Sequence, residues 1–373
     1  MKNSATATMG PVIKNGRFIP ITIMVIAILF ANCQSPVDKP DPALDLVEFE
    51  SVWQYLKAYS IHQSEVPSDP FSFPTPDSLM AVIHDTLKGA NYTHYNYDPL
   101  AGASALVLPA AVATAATSTV FVDQLTASTA CITITGFGLS TWTDFQSCAM
   151  RAKDYNFSNI VIDIRQNLGG LLDVLDSIIS ALVPSGTRYI QDSSREYDKK
   201  TKSYITTNYH PLVTQAELIP WFGGKNKKFV VIMDSMTASA SEILAAAMYE
   251  GDTTTKLIGT RSYGKGMGQI IQGRRTRQSI LITSFYIKGV SDRIGDYHRV
   301  GIKPDPVDSS IINAADPGWI EWKKEVFYAL KLLEPNITAT SSFSFYVPHK
   351  KSAMAKVGSS GLYKVIKEED FLR

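Results

Sequence analysis

Two runs in this chain, NIVIDI (Asn159–Ile164) and KFVVIMD (Lys228–Asp234), are apolar at nearly every consecutive position. A strand with one wet face alternates apolar and polar side chains, whereas a strand that is apolar throughout is buried on both faces. Each run breaks into a polar loop of small residues and then into a segment with helical spacing. GGLLDVLDSIISALVPSG follows the first and SMTASASEILAAAMYEG the second. ACITITGF followed by TWTDFQSCAMRAKDY repeats the order, with Thr141 expected to open the helix and Asp144 standing three residues on. TKLIGT and SILITSFYI read as further strands, and DPGWIEWKKEVFYALKLL as a late amphipathic helix. Strands alternating with helices make an α/β domain.

Ahead of this domain the pattern is different. LVEFESVWQYLKAYSI places Val47, Phe49, Trp53, Leu56 and Ile61 near a helical period, and PDSLMAVIHDTLKGA is expected to be helical from Pro76 to a stop at Gly89. NYTHYNYDP reads as an aromatic-rich loop. The expected organisation is a signal segment over residues 1–33, a tether over 34–43, a small N-terminal helical domain over 44–100, the α/β core over 101–335 and a C-terminal extension over 336–373.

Composition narrows the function classes. Hydrophobic residues make up 45% and charged residues 19%, with a net charge of +1. That is a globular chain with no field to recruit nucleic acid. No zinc-type Cys/His spacing and no glycine-rich phosphate loop occurs, and the six histidines are scattered, so neither metal nor cofactor is expected. Lys2, Lys14 and Arg17 precede the apolar stretch Phe18–Cys33, a basic region and short apolar run typical of export signals. Its end, LFANC, is similar to a lipobox, in which the cysteine becomes the lipidated first residue of the mature protein. The other reading is an ordinary signal peptide with an incidental cysteine. The Pro- and Asp-rich QSPVDKPDPALD that follows favours a membrane anchor at Cys33 with an extended tether, and hence an exported, membrane-anchored protein. Export would allow Cys131 and Cys148 to pair; two buried thiols are the alternative.

Three loops stand out for chemistry. IVIDIRQNLGG ends in paired glycines that can expose backbone amides or simply serve a turn. In MTASASEILAAAMYEG, Ser239 with Glu242 three residues on reads as a capping box, and the same helix start also suits a nucleophile beside N–H groups that stabilise an oxyanion. In LIGTRSYGKGMGQ, Lys265 lies between two glycines, with Gln269 four residues on. A serine hydroxyl needs a base, and a lysine that burial keeps neutral can be one. Gln269 could orient such an amine without adding a charge, and flanking glycines would let the backbone pack closely around it. A Ser-x-x-Lys reading through Ser262 and Lys265 requires one helical turn, which Gly264 and Gly266 oppose.

In order and spacing, the three loops resemble the signatures of tail-specific or C-terminal processing proteases, the serine peptidases of family S41. Asp163, Arg165, Asn167, Gly169 and Gly170 match the first signature. Ser239, Ala240, Ser241 and Glu242 match the second, and Gly264, Lys265, Gly266 and Gln269 the third, while Gly301–Asp308 matches a closing G-I-x-P-D stretch. The resemblance covers roughly residues 45 to 335. It implies a ClpP/crotonase-like core of repeated β-β-α units. It also implies Ser239 as nucleophile, Lys265 as general base and Gln269 as its orienting partner, with backbone N–H groups of Ala240 and of Gly169 or Gly170 as the oxyanion hole. Ser241 is left as a cap or packing residue. The implied activity is serine endopeptidase action on polypeptides.

Many family members insert a PDZ domain after the helical region. Here Asp98–Gln124 offers 27 residues, too few for one. The chain is therefore similar to the PDZ-less, interphotoreceptor-retinoid-binding-like branch, some of whose members bind small hydrophobic ligands instead of cutting peptides.

Overall fold

The computed structural model describes residues 42–97, 118–198, 200–207, 209–214, 227–273, 278–308, 310, 321–338 and 363–365. The expected signal segment, Cys33, the tether up to Asp41 and most of the C-terminal extension lie outside the described residues. The chain divides into two compact units, residues 1–48 and 49–373, and apart from the first seven residues of the helix Pro42–Tyr59 everything below lies in the second.

A five-stranded sheet forms the centre of that unit. Its strands are β4 (Val120–Gln124), β5 (Thr129–Ile134), β6 (Asn159–Asp163), β10 (Lys228–Met233) and β11 (Lys256–Gly259), in the order β11-β10-β6-β5-β4. All neighbours are parallel except the antiparallel edge strand β4. The apolar runs split by period two onto the two faces. Ala130, Ile132, Ile134, Ile160, Ile162, Val231 and Met233 face one core, which is covered by helices α3 (Thr141–Asp154), α4 (Leu172–Leu182) and α5 (Ala240–Gly251). Cys131, Val161, Val230 and Ile232 face the other core, under α6 (Glu321–Leu333). Cys131 and Cys148 therefore sit in separate cores and form no disulfide with each other, and burial pushes the Cys148 thiol up to about 11.

A second, seven-stranded sheet carries β12 (Met267–Gly273), β13 (Gln278–Lys288) and β7 (Arg188–Asp198), with β14 (Tyr363–Val365) on β12, β3 (His94–Tyr97) on β13, and β8 (Ser203–Thr206) and β9 (His210–Val213) on β7. Ile270, Ile280 and Ile282 of this sheet pack against Val52, Leu56, Leu79 and Met80 of α1 (Pro42–Tyr59) and α2 (Pro76–Met80).

Three local expectations change. Helix α2 ends at Met80 rather than near Gly89, and residues 86–91 form a hairpin of β1 (Thr86–Leu87) and β2 (Ala90–Asn91). Lys88 and Gly89 at its tip have φ of 48° and 82°, the two positive angles of a type I′ turn, so the glycine serves a hairpin and not a helix stop. NYTHYNYDP is not all loop, since His94–Tyr97 pairs with Gln278–Leu281. Thr141 is the first residue of α3, whose cap position is Ser140, and the Asp144 carboxylate accepts the N–H and hydroxyl of Thr119 instead of capping.

The two faces of the central sheet are tied together at Arg165. Its guanidinium is fully buried, bonds Asp163 through Nε (3.0 Å) and Nη2 (2.7 Å), and reaches Glu325 of α6 through Nη1 (2.5 Å). Trp322 stacks on it with 4.7 Å to the ring centroid. Removing one member of such a pair leaves buried charge behind. Arg165→Met is expected to lower the unfolding free energy by about 3–5 kcal/mol in denaturant titration. Arg165→Lys should recover only part of it, because an ammonium lacks the bidentate fork. A loss below about 1 kcal/mol would show that the brace contributes little.

Candidate active site

Strands β6, β10 and β11 are parallel neighbours, so the loops after them emerge side by side, where open α/β sheets place their ligand sites. Hydrogen bonds join the three loops. Ile164 N–H donates to Ile232 O (3.0 Å), Ala238 N–H to Asn167 O (3.0 Å), the Thr237 hydroxyl to Ile164 O (2.9 Å) and Tyr263 N–H to Thr237 O (2.9 Å). The three segments singled out in the sequence thus form one site.

Ser239 occupies the cap position of α5 with φ 61° and ψ −120°. A side chain in that region stores about 1–3 kcal/mol of strain, which persists only where surrounding bonds enforce it. Only the backbone half of the capping box is present: Glu242 Oε2 accepts the Ser239 N–H at 2.8 Å. The Ser239 hydroxyl is buried and has no hydrogen-bond partner among the described residues. Ser241 instead donates its hydroxyl to Asn167 O at 3.0 Å, tying the helix start to the neighbouring loop.

Gly169 has φ 100°, and a Cβ built there would lie 2.9 Å from Ser239 Cβ and 3.0 Å from Ala240 N, so only glycine lets the two loops approach this closely. Its own N–H is engaged by Asn167 Oδ1 at 2.9 Å. Phe137 donates to Gly169 O and accepts from Leu171 N–H, which turns the Gly170 N–H away from that strand. Of the expected glycine pair, Gly170 is the one whose N–H meets no acceptor among the described residues, and the N–H of Ala240 at the start of α5 likewise meets none.

Lys265 is wholly buried, and its Nζ lies 3.1 Å from Gln269 Oε1. A β-bulge between Gly268 and Gln269 re-aims the glutamine side chain, a device common beside active sites. Gly264, with φ 92°, lets the lysine loop lie against Gly301 N, which a Cβ would approach to 2.8 Å. Burial holds the Lys265 amine well below the ordinary lysine range, while the carboxylates of Glu242 and Asp85 pull it back up. The Ser262 hydroxyl is committed elsewhere: it donates to Glu242 Oε1 (2.5 Å) and accepts from Ile302 N–H (2.6 Å), and residues 261–266 are not helical. The Ser-x-x-Lys arrangement is thereby excluded.

Sequence reasoning gave Glu242 only a capping role. Its two oxygens accept four donors: Ser262 Oγ and the N–H groups of Gly264 (2.7 Å), Ser239 and Lys265 (2.8 Å). Burial raises its carboxyl while these four donors pull it down. Tyr92 was also missed, and its ring lies 4.3 Å from Lys265 Nζ. The capping signature was a usable signal for Glu242. Nothing local in NYTHY pointed to a lysine 173 positions away. No group of three or more His, Cys, Asp or Glu among the described residues could hold a metal.

The arrangement defines an α/β protein with a serine-and-lysine site at the carboxyl ends of its parallel strands. Residues 128–307 match the model of peptidase family S41. It is 28% identical over 184 residues to the chloroplastic carboxyl-terminal-processing peptidase 1 of Arabidopsis thaliana, covering 49% of this chain and 34% of that one. It is 30% identical over 173 residues to the carboxy-terminal processing protease CtpB of Bacillus subtilis (strain 168), covering 46% and 32%. The chain thus spans about a third of the length of these relatives. Among solved structures, the photosystem II D1 C-terminal processing protease superposes with a TM-score of 0.37 and 20% identity, over 52% of this chain and 47% of that one.

The state of Lys265 affects stability. The unfolded chain keeps its lysine protons up to the ordinary value of 10.5, while the folded chain releases that of Lys265 at lower pH. Between those two points the unfolded state binds more protons, so this group makes stability rise with pH, and below both it imposes its full penalty. Lys265→Met should therefore stabilise the protein near neutrality, by a margin that shrinks in denaturant titrations at about pH 6, 8 and 10. A margin that grows with pH would contradict the depressed amine.

Proposed function

We propose that this protein is a serine peptidase that hydrolyses peptide bonds through Ser239, with Lys265 as general base. The observation that carries the reading is the fully buried Lys265 amine, 3.1 Å from an uncharged amide and tied through Glu242 to the loop that bears an unpartnered serine hydroxyl.

In the reaction Ser239 Oγ attacks the carbonyl carbon and its proton passes to the neutral Nζ, the two groups closing to hydrogen-bonding distance as the substrate seats. Charge on the carbonyl oxygen is met by the N–H groups of Ala240 and Gly170, the first also aided by the positive end of α5. The Lys265 ammonium then protonates the leaving amine. Water then attacks the acyl ester and gives a proton to Lys265, which passes it to Ser239 Oγ as the acyl C–O bond breaks, releasing the new carboxyl terminus and restoring both groups. Gln269 Oε1 holds the amine in place without stabilising its charged form as a carboxylate would. Gly169, whose N–H is engaged, contributes close approach rather than a hydrogen bond.

The relatives' names speak of carboxyl-terminal processing. For this chain, with 27 residues where other members insert a PDZ domain, the substrate class is an extended polypeptide recognised without its C-terminal carboxylate. Purified protein incubated with casein and read by mass spectrometry should give cleavage that Ser239→Ala abolishes by at least about 10³-fold. Activity should rise with pH as Lys265 deprotonates. Lys265→Arg should be as inactive as Lys265→Ala, because a guanidinium does not deprotonate in a protein. A peptide and its C-terminally amidated twin should be cut alike. Turnover by Lys265→Arg above a few per cent of wild type would refute the base assignment and favour the ligand-binding alternative on this fold.

We also propose that the protein is exported and lipid-anchored at Cys33, on the strength of LFANC and the tether-like sequence after it. A fatty-acid probe should label the wild type in cells and miss Cys33→Ala; equal labelling of the two would end this reading.

A further inference from the structure

The lysine's burial has a source outside the three loops. Tyr92 is 2% exposed, and its ring lies over Nζ with 4.3 Å to the centroid. It follows the β1–β2 hairpin, which is fastened by one buried carboxylate. Asp85 Oδ1 accepts the N–H groups of Tyr92 (3.0 Å) and Thr93 (2.9 Å), and Asp85 Oδ2 accepts the hydroxyls of Thr93 (2.7 Å) and of Thr283 on β13. Leu87 and Tyr92 pack with Met267, two residues beyond Lys265, and with Tyr263 and Tyr286. At the tip, Lys88 Nζ sits 3.8 Å from the centroid of Tyr263, two residues before Lys265. The hairpin and Tyr92 therefore contact the lysine loop both before and after Lys265 in the chain.

We propose that the segment Asp85–Thr93 is the wall that keeps the Lys265 amine dry, with Tyr92 as a positioning residue that covers Nζ and Asp85 as the clamp that holds the ring there. This rests on the reading of Lys265 as the base and assigns the part of the chain that sets its working state. Two effects of the ring oppose each other. Its π face attracts an ammonium, which raises proton affinity about 2- to 30-fold. Its bulk excludes water, and full burial lowers a lysine's proton affinity by up to about 10³- to 10⁵-fold. Exclusion wins, so loss of the ring should return the amine toward the ordinary lysine range. Asp85 acts in the other direction, because its charge favours the ammonium. Glu242 from α5 favours it too. Among the described residues, Gln269 of β12 is the uncharged partner of the amine, and the cluster around Tyr92 extends to Tyr263 and Tyr286, with the ring of His298 edge-on to Tyr286 at 5.2 Å and held by burial below the usual histidine range.

The test follows the titration of Lys265 itself by NMR, in Ser239→Ala protein with ¹³C at lysine Cε and the resonance assigned through Lys265→Met. Tyr92→Ala should move the midpoint up by at least about one pH unit, a tenfold change in proton affinity. Tyr92→Phe, which keeps the ring, should leave it in place. Asp85→Asn keeps the shape of the clamp, since its amide can still accept the two N–H groups and donate to the hydroxyls, and should move the midpoint down. It decides alone if Tyr92→Ala does not fold by circular dichroism. Opposite shifts from one hairpin are not what mere loosening of the structure produces. A midpoint unchanged from wild type in either folded variant overturns the proposal. Failure of the general-base reading would look different: the Lys265 midpoint would shift as expected while the pH profile of peptidase activity, measured with Ser239 restored, stayed where it was.

Discussion

One carboxylate holds the site together. Glu242 accepts the backbone N–H of Ser239 and that of Lys265 on the same oxygen, and the Ser262 hydroxyl and Gly264 N–H on the other. Four donors converge on a group with no exposed surface. A buried carboxylate is tolerated only when its lone pairs are filled, and here filling them fixes two loops relative to each other. The positive φ of Ser239 is held by the same bonds. Strain at the serine, register of the lysine loop and the start of α5 therefore depend on one residue, which reaches the lysine through the backbone and leaves its side chain to Gln269.

The sheet supplies the coarse geometry that Glu242 refines. Because β6, β10 and β11 run parallel and adjacent, their following loops share one end of the sheet, and glycine at 169 lets two of them touch. Asp163, Arg165 and Glu325 connect that end to α6 on the opposite face. Arg165 belongs to a recognisable motif, yet it meets no group of the serine–lysine pair. It braces the loop from behind, and its value lies in the rigidity of Asn167–Gly170.

Dryness is the second requirement. A lysine near Gln269 with water around it would be an ordinary ammonium. The residues packed around the lysine loop come from far apart in the chain: Tyr92 from the N-terminal segment, Met267 from β12, and the neighbours of Gly264 from the loop ending at Gly301. Such a site opposes stability, since burial that disfavours the charged form of an amine favours unfolding at neutral pH. Active sites are the places where proteins keep such groups.

Sequence alone determined the α/β class, because strands apolar at every position have to be covered on both faces, and it determined the helices that cover them. It also singled out the loops of Ser239 and of Lys265 with Gln269, which the parallel order of the strands brings to one end of the sheet. It misread Pro76–Gly89, where Gly89 signals both a helix stop and a type I′ turn and only the pairing of Thr86–Leu87 with Ala90–Asn91 chooses between them. It could not show that Asn167 Oδ1 engages the N–H of Gly169. It could not find the partners of Lys265, because the fourfold acceptance at Glu242 and the ring of Tyr92 over Nζ are contacts between elements. Local sequence encodes which groups are present and how the chain turns between them. Which groups share a dry pocket, and so which proton can move, is decided only when distant segments pack.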